Sequence, residues 1–278
     1  MARDSGYTPI VTNAYTRNDF NERDYHYTKE LNAWINTLDV PSVNLLGGVD
    51  DGTGKWAPGN WYNPGHPNDA GHLELAYTIV PSLFDALSNS KPQPKMIESD
   101  GVTLNSKLID FKPDDIVHPF TTTISIKADG KGQIMQILDS TSHAGSVVIT
   151  DKGTVEYTSP QYQQITGATK VTDGQWHKIT LTHYYARNVT QLYCDSTLQG
   201  NIAEQLSIKH LQLGNTANKS ISAKNWFFYR SGMNSSEIAA LTNNVFLKSS
   251  MELYAPLDEK QGVLKNLAQS TVELKWVK

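Results

Sequence analysis

Cysteine is almost absent from this chain: Cys194 is the only one in 278 residues. That excludes an intrachain disulfide and any cysteine-based metal spacing. It leaves a thiol inside a strand-like run, where packing is its expected role. Long apolar runs are missing too, and without about 18 consecutive apolar residues no transmembrane helix is expected. The start, MARDSGYTPI, has no apolar core of a secretory signal. It reads as an intracellular start, or as one whose natural N-terminus lies elsewhere. Neither sign of charge dominates, since 24 Lys and Arg against 28 Asp and Glu give a net −4. With the charges mixed and no basic stripe for a phosphate backbone, nucleic acid is not an expected partner.

What is present suffices for one or two globular domains, with 38% hydrophobic residues to build a core. Pro9 to Thr12 and Ser42 to Val49 are short apolar runs of the buried-strand type. Between them, Asn18 to Leu38 has helical spacing, with Tyr27, Leu31, Trp34, Ile35 and Leu38 on one expected core face. Trp61 to Leu87 opens with Asn, Pro, Gly and Asp. It continues with Leu75, Ile79, Val80, Leu83, Phe84 and Leu87 at helical spacing, which predicts a His-bearing loop running into an amphipathic helix. Strand, helix, strand, loop and helix in this order predict a partial parallel α/β segment over residues 1–94. Two strands alone leave such a sheet with an open edge and an uncovered face, to be covered by the rest of the chain, by self-association or by a complementing chain.

KPQPK at 91–95 is a proline-spaced linker and the predicted boundary. Beyond it, residues 95–278 alternate short strands with Gly, Asp, Asn and Ser turns, the pattern of an antiparallel β-sandwich. The fold class expected is therefore α+β and multidomain. Within the sandwich, Asp173-Gly174 feeds a strand in which Ile179 and Leu181 share one face and Lys178, Thr180 and Thr182 the other. Ser235 or Ser236 is the expected cap of a short helix with Glu237 in its first turn.

His66-Pro67-Asn68 with Gly71 and His72 resembles the last conserved block of the SGNH (GDSL-like) hydrolases, a flavodoxin-like α/β family. In that block Asp-x-x-His-Pro supplies the acid and base of a Ser-His-Asp triad. The resemblance implies that His66 is the base, and it puts Asn63 where the family has its Asp. An Asn can orient the ring but cannot balance an imidazolium. Asp51 and Asp69 are nearby substitutes for that carboxylate. The family's Gly-Asp-Ser nucleophile and oxyanion blocks have no counterpart; Asp4-Ser5-Gly6 lacks the strand that would present Ser5. The chain is then catalytically incomplete by itself.

Gly47 to Lys55 fails the phosphate-loop spacing, with Val49 and Trp56 at the decisive positions. His66, Asp69 and His72 form the only metal-like set in this segment, and no cofactor is expected there.

Asp173-Gly-Gln-Trp176-His177, followed by Tyr193, Asp195 and Ser196, resembles the laminin-G-like, concanavalin A-type jelly roll. In that fold Trp176 and His177 are expected in the framework, and a structural calcium is compatible with it. The run Trp226, Phe227, Phe228 and Tyr229 should put half its rings in the core and leave half free to stack on sugar. No Glu-x-Asp-x-x-Glu spacing supports a glycosidase. Together the resemblances imply a secreted or cell-surface bacterial esterase of acylated polysaccharide with a lectin-like sandwich. The alternative is a non-catalytic carbohydrate-binding or interaction module that retains hydrolase remnants.

Overall fold

The computed structural model describes residues 5–104, 108–214, 221–258 and 264–277. Its N-terminal part is one parallel unit. Val11–Thr12 (β1) pairs with Ser42–Val43 (β2), and Glu22–Thr37 (α1) crosses between them. Asn21 fixes the start of α1, because its side chain accepts from the Arg23 and Asp24 amides while Asp24 accepts from the Asn21 amide.

The inward face of α1 differs from the one its apolar spacing predicts. Tyr27, Leu31 and Trp34 are 50%, 46% and 59% exposed, while Tyr25, Thr28, Asn32, Ile35 and Asn36 are buried. The polar residues win the inward positions because they are hydrogen-bonded there. Asn32 exchanges two bonds with the Ala14 backbone, and the Asn36 carbonyl groups accept from the Lys248 and Ser249 amides.

A helical turn, Leu46–Val49 (α2), follows, then a small hairpin of Trp61–Asn63 (β3) and His66–Pro67 (β4). The helix expected after it is two helices, Asp69–Ala76 (α3) and Leu83–Ser88 (α4). Pro81 separates them, since it has no amide to donate and biases Val80 away from helix. Phe84 is 61% exposed as a result of this break in register. Residues 5–94 thus hold one βαβ unit on two-residue strands in place of a doubly wound sheet.

The sandwich begins with Val102–Thr103 (β5), Leu108–Phe111 (β6), Phe120–Ala128 (β7), Gly132–Asp139 (β8) and Ala144–Ile149 (β9). Thr154–Thr158 (β10), Gln164–Lys170 (β11), Trp176–Tyr184 (β12), Val189–Cys194 (β13) and Thr197–Ile202 (β14) follow. Ile208–Leu213 (β15), Ile221–Tyr229 (β16), the helix Ser235–Thr242 (α5), Met251–Ala255 (β17) and Lys275–Val277 (β18) complete it. One sheet runs β11-β10-β9-β8-β15-β6-β18, and the other runs β14-β13-β12-β7-β16-β17 with β5 also on β16. The inward side chains of both sheets form one core, in which Phe111 contacts Trp226 and Phe228, and Phe228 stacks on Phe120. Each such ring contributes about 1.5–3 kcal/mol by leaving water.

The outer face of the second sheet is covered as well. Ile179 and Leu181 point into the core as the alternation requires. On the reverse side Thr180 bonds Thr123, and Thr182 bonds Thr121 beneath the N-terminal unit. A second apolar cluster, including Phe227, Tyr229, Ile238, Leu241 and Tyr254, lies under α5. Its cap is Asn234, one residue before the expected serines.

The seam between the two parts is polar and buried. Glu237 accepts from Asn44 at 2.7 Å and Asn36 at 3.3 Å, Ser42 bonds Ser249 at 2.7 Å, and the Ser250 amide bonds the Ser42 carbonyl. At this seam the Gly232 amide donates to the Gly47 carbonyl at 3.1 Å. A Cβ on Gly47 would fall 1.9 Å from Ser231 Oγ, so only glycine fits. One edge of the parallel pair is therefore sealed by the sandwich itself.

Candidate functional site

His66 stands exposed on the β3–β4 hairpin, and its Nδ1 lies 2.9 Å from Asn63 Oδ1. The same Asn63 oxygen accepts from the Gly65 amide at 3.0 Å, so Asn63 shapes the turn while it orients the ring. Neither expected substitute carboxylate reaches this pair by a hydrogen bond. Asp51 Oδ1 accepts from the Thr53 amide, the Thr53 hydroxyl and the Lys55 amide, building its own turn. Asp69 opens α3 behind the Asn68 cap. His72 is an exposed residue of that helix. Ser5 is exposed at the start of the described chain, and Asp4 of the Asp4-Ser5-Gly6 reading lies outside the described residues.

Gly47 to Lys55 is a helical turn and a tight loop in which Asp50 accepts from Tyr25 OH at 2.5 Å and from the Gly54 amide at 2.9 Å. Burial, then the charge and hydrogen bond of Asp50, push the Tyr25 hydroxyl up from its ordinary value.

On the sandwich, His177 is bracketed by Asp195 at 3.1 Å and Asp173 at 3.0 Å. Burial opposes its charge, but the two carboxylates outweigh burial and raise its pKa. His177, Cys194 and Asp195 are the one group of such side chains among the described residues whose ligand atoms lie within 4.8 Å of one another. Both ring nitrogens of His177 are engaged with carboxylates. Burial, then the charges of Asp195 and Asp173, push the Cys194 thiol up to about 12. Hydrogen bonding and packing account for this group.

The aromatic run departs from its expectation: Trp226, Phe227, Phe228 and Tyr229 are all at most 2% exposed. The rings that alternation turns outward are covered by α5 and its cluster, where Phe227 stacks on Tyr254 at 4.7 Å. They offer no sugar platform.

One open, largely polar concavity lies at an edge of the sandwich. It is a cleft of about 650 Å³ lined by Met96, Ile97, Glu98, Ser99, Asp100, Lys224, Asn225, Asn244 and Asp258. Four separate segments meet there. Residues 96–100 are pinned by Tyr254 OH, which accepts from the Ile97 amide at 2.9 Å, and by Ser99 Oγ, which donates to the Leu257 carbonyl.

The floor is a bulge in β16, where the pairing with β7 shifts register between Lys224 and Phe227. Asn225 sits in the bulge at φ 53°, a left-handed conformation that Asn tolerates better than most residues. Its Oδ1 is buried and has no hydrogen-bonding partner. Beside it, Lys224 Nζ lies 4.3 Å from the centre of the half-buried Trp176 ring. Trp176 and the Ala223 carbonyl also leave no room for a Cβ at Gly101, whose φ is +91°. None of the site residues singled out in the sequence lines this cleft. The signals that mark it there are the Ser99-Asp100-Gly101 turn and an Asn directly before Trp226 in a strand.

No family model matches the sequence, and no curated protein matches it. Among solved structures the chain is similar to a candidate carbohydrate-binding protein from Bacteroides ovatus, at 14% identity and a TM-score of 0.52 over 67% of this chain. The match spans 60% of that protein's length. It is also similar to a heptameric SAP-like pentraxin from Limulus polyphemus, at 13% identity and a TM-score of 0.41 over 65% of this chain and 92% of that one. Domains LG4-5 of the mouse laminin α1 chain match at 10% identity and a TM-score of 0.39, over 51% of this chain and 46% of that one. Among the described residues no helix is long and apolar enough to cross a membrane. The fold is a jelly-roll-like sandwich, with two large antiparallel sheets and an N-terminal βαβ unit laid over one of them.

Proposed function

We propose that this chain is a carbohydrate-binding module, and that it binds saccharide in the cleft formed by residues 96–100, Lys224, Asn225, Asn244 and Asp258. One observation carries the reading: a wide cleft of about 650 Å³ on this sandwich is lined mainly by polar and charged side chains from four chain segments. Side-chain amides, carboxylates and an ammonium are the groups that hydrogen-bond sugar hydroxyls. Trp176 beside the cleft adds an apolar ring of the kind that packs on sugar C–H faces. The likeness to a candidate carbohydrate-binding protein supports the same class and fits an extracellular or cell-surface setting.

Titration calorimetry against a panel of polysaccharides and oligosaccharides tests the proposal. Binding should weaken at least tenfold in Asn225→Gly, corresponding to about 1.4 kcal/mol, while glycine keeps the left-handed backbone and the circular dichroism is unchanged. Unchanged affinity would move the site elsewhere.

A second reading keeps the hydrolase resemblance. The Asn63–His66 contact of 2.9 Å supports His66 as an oriented base and the N-terminal unit as part of an esterase for acylated sugar. With no nucleophile or oxyanion block identified, the isolated chain should hydrolyse p-nitrophenyl acetate no faster than its His66→Ala variant. Turnover that His66→Ala abolishes would restore the catalytic reading and require a serine nucleophile.

A further inference from the structure

Helix α1 turns an apolar stripe to water. Tyr27, Leu31 and Trp34 stay about half exposed because Asn32 and Asn36 hold the inward positions. Tyr27 and Trp34 are separated by two helical turns less about 20° of rotation, so they share one face about 10.5 Å apart along the axis. Side chains in a helix lean alike toward its N-terminus, which carries that spacing outward to the rings. Arg23 steadies Tyr27: its Nε donates to the phenol oxygen at 3.1 Å, and its guanidinium lies 5.3 Å from the ring centre. The Trp34 side chain makes no hydrogen bond or ring contact among the described residues.

Size and charge decide what such a strip can hold. An aromatic side chain buries only about 150–250 Å² even when fully covered, so three half-exposed side chains offer roughly 300 Å². A specific protein interface takes about 800 Å² from each partner, which argues against a second copy of this chain. The charges beside the rings have both signs, Arg23 against Glu30, and Glu30 already faces His26 at 3.4 Å. Neither an acidic nor a basic polymer is selected. A neutral sugar chain needs only apolar ring faces, on which its C–H groups pack. In a linear β-1,4-linked hexose chain every second ring presents the same face, and that repeat is close to two turns of an α-helix. Resting on the carbohydrate-binding reading, but at a separate place from the cleft, we infer that Tyr27 and Trp34 form a stacking platform for flat β-1,4-linked polysaccharide, with Leu31 between them.

The test uses the full chain and suspensions of microcrystalline cellulose, chitin and granular starch. Cellulose and chitin should retain the wild type, and starch, whose α-1,4 chains coil, should not. Trp34→Ala should weaken retention at least tenfold, and Trp34→Phe should weaken it less, since a ring remains. Tyr27→Ala should weaken it several-fold. The melting temperatures should change little, because both positions are solvent-exposed. Retention should be the same at about 20 and about 500 mM salt, as expected of contacts without charge. Asn225→Gly should leave retention intact, since the cleft is not used.

Retention that survives Trp34→Ala, or retention on starch that needs Trp34, would overturn the platform while leaving the cleft reading in place. So would failure to bind cellulose or chitin by a protein that still binds soluble saccharide in the cleft. A dimer that Trp34→Ala dissociates in sedimentation would assign the strip to a second copy and overturn the inference as well. No binding to these solids or to the soluble panel would sink the carbohydrate reading and the platform with it.

Discussion

Glu237 is the group through which pH should act on the joint between the N-terminal unit and the sandwich. It accepts from Asn44, Asn36 and the Asn234 amide, all of which favour its charged form. Burial outweighs them, and with a smaller push from Asp50 the carboxyl rises from an ordinary 4.5 to about 7. A raised pKa in the folded state means that folding takes up a proton. Glu237's contribution to stability is therefore complete below about pH 4.5 and is lost as pH rises to about 7. At about 1.4 kcal/mol per pH unit the loss is about 3 kcal/mol.

Glu237→Gln has no such proton to lose. It sets one amide NH₂ against the surrounding N–H donors, which costs about 1–3 kcal/mol at every pH. Urea melts of both proteins from pH 4.5 to 8.5 isolate this group, because every other titration cancels in the difference. The wild type should lose about 3 kcal/mol relative to the variant between pH 4.5 and 7.5. Parallel stability curves would show that Glu237 is charged throughout and that the three donors, not burial, set its state.

Arg230 and Glu252 form a fully buried pair at 2.7 Å, and Arg230 also holds the Ile116 carbonyl while Glu252 accepts from the Asp114 amide. Arg230→Met should cost about 3–5 kcal/mol in chemical unfolding, and adding Glu252→Leu should recover much of it. His183 is fully buried, accepts from the Leu206 amide and is lowered to about 3, by burial first and then by the charge of His118. Its ring resonances should therefore stay those of neutral imidazole from pH 8 down to 5. A native Cys194 should resist iodoacetamide at pH 8, and it should react once guanidinium opens the core. Residues 95–278 should fold cooperatively when expressed alone, with a lower melting temperature than the full chain because the Ser42, Asn36 and Asn44 bonds are gone. A featureless melt would move the boundary.

The sandwich was legible because its information is local. Alternation in β12 separates Ile179 and Leu181 from Thr180 and Thr182, and Asp-Gly and Asp-Ser turns mark strand ends. The burial of α1 was not legible, because helical periodicity assigns the apolar stripe to the core. Asn32 and Asn36 are inside through partners 18 and more than 200 residues away. Pro81 did announce the break between α3 and α4, and the apolar spacing across it was misleading. For the run 226–229, alternation correctly divides the rings between two faces; only the tertiary structure shows that both faces are covered. Asn225 escaped notice because its meaning depends on a bulge, and register shifts leave no mark in a single strand's sequence. His66 and Asn63 do meet as their spacing suggests, and nothing else expected of that site joins them.

The polar seam also sets an order of events during synthesis. Ser42 is 207 residues from Ser249, and Asn44 is 193 from Glu237. At about 5–20 residues per second, the ribosome needs roughly 10–40 s to deliver these partners after the N-terminal unit has emerged. Through that interval the edge of β2 that will bond Ser250 is unpaired, and Asn36 and Asn44 have only water to bond. The N-terminal unit is thus made before the sandwich yet finished only with it, and it is the stretch a holding chaperone would have reason to grip.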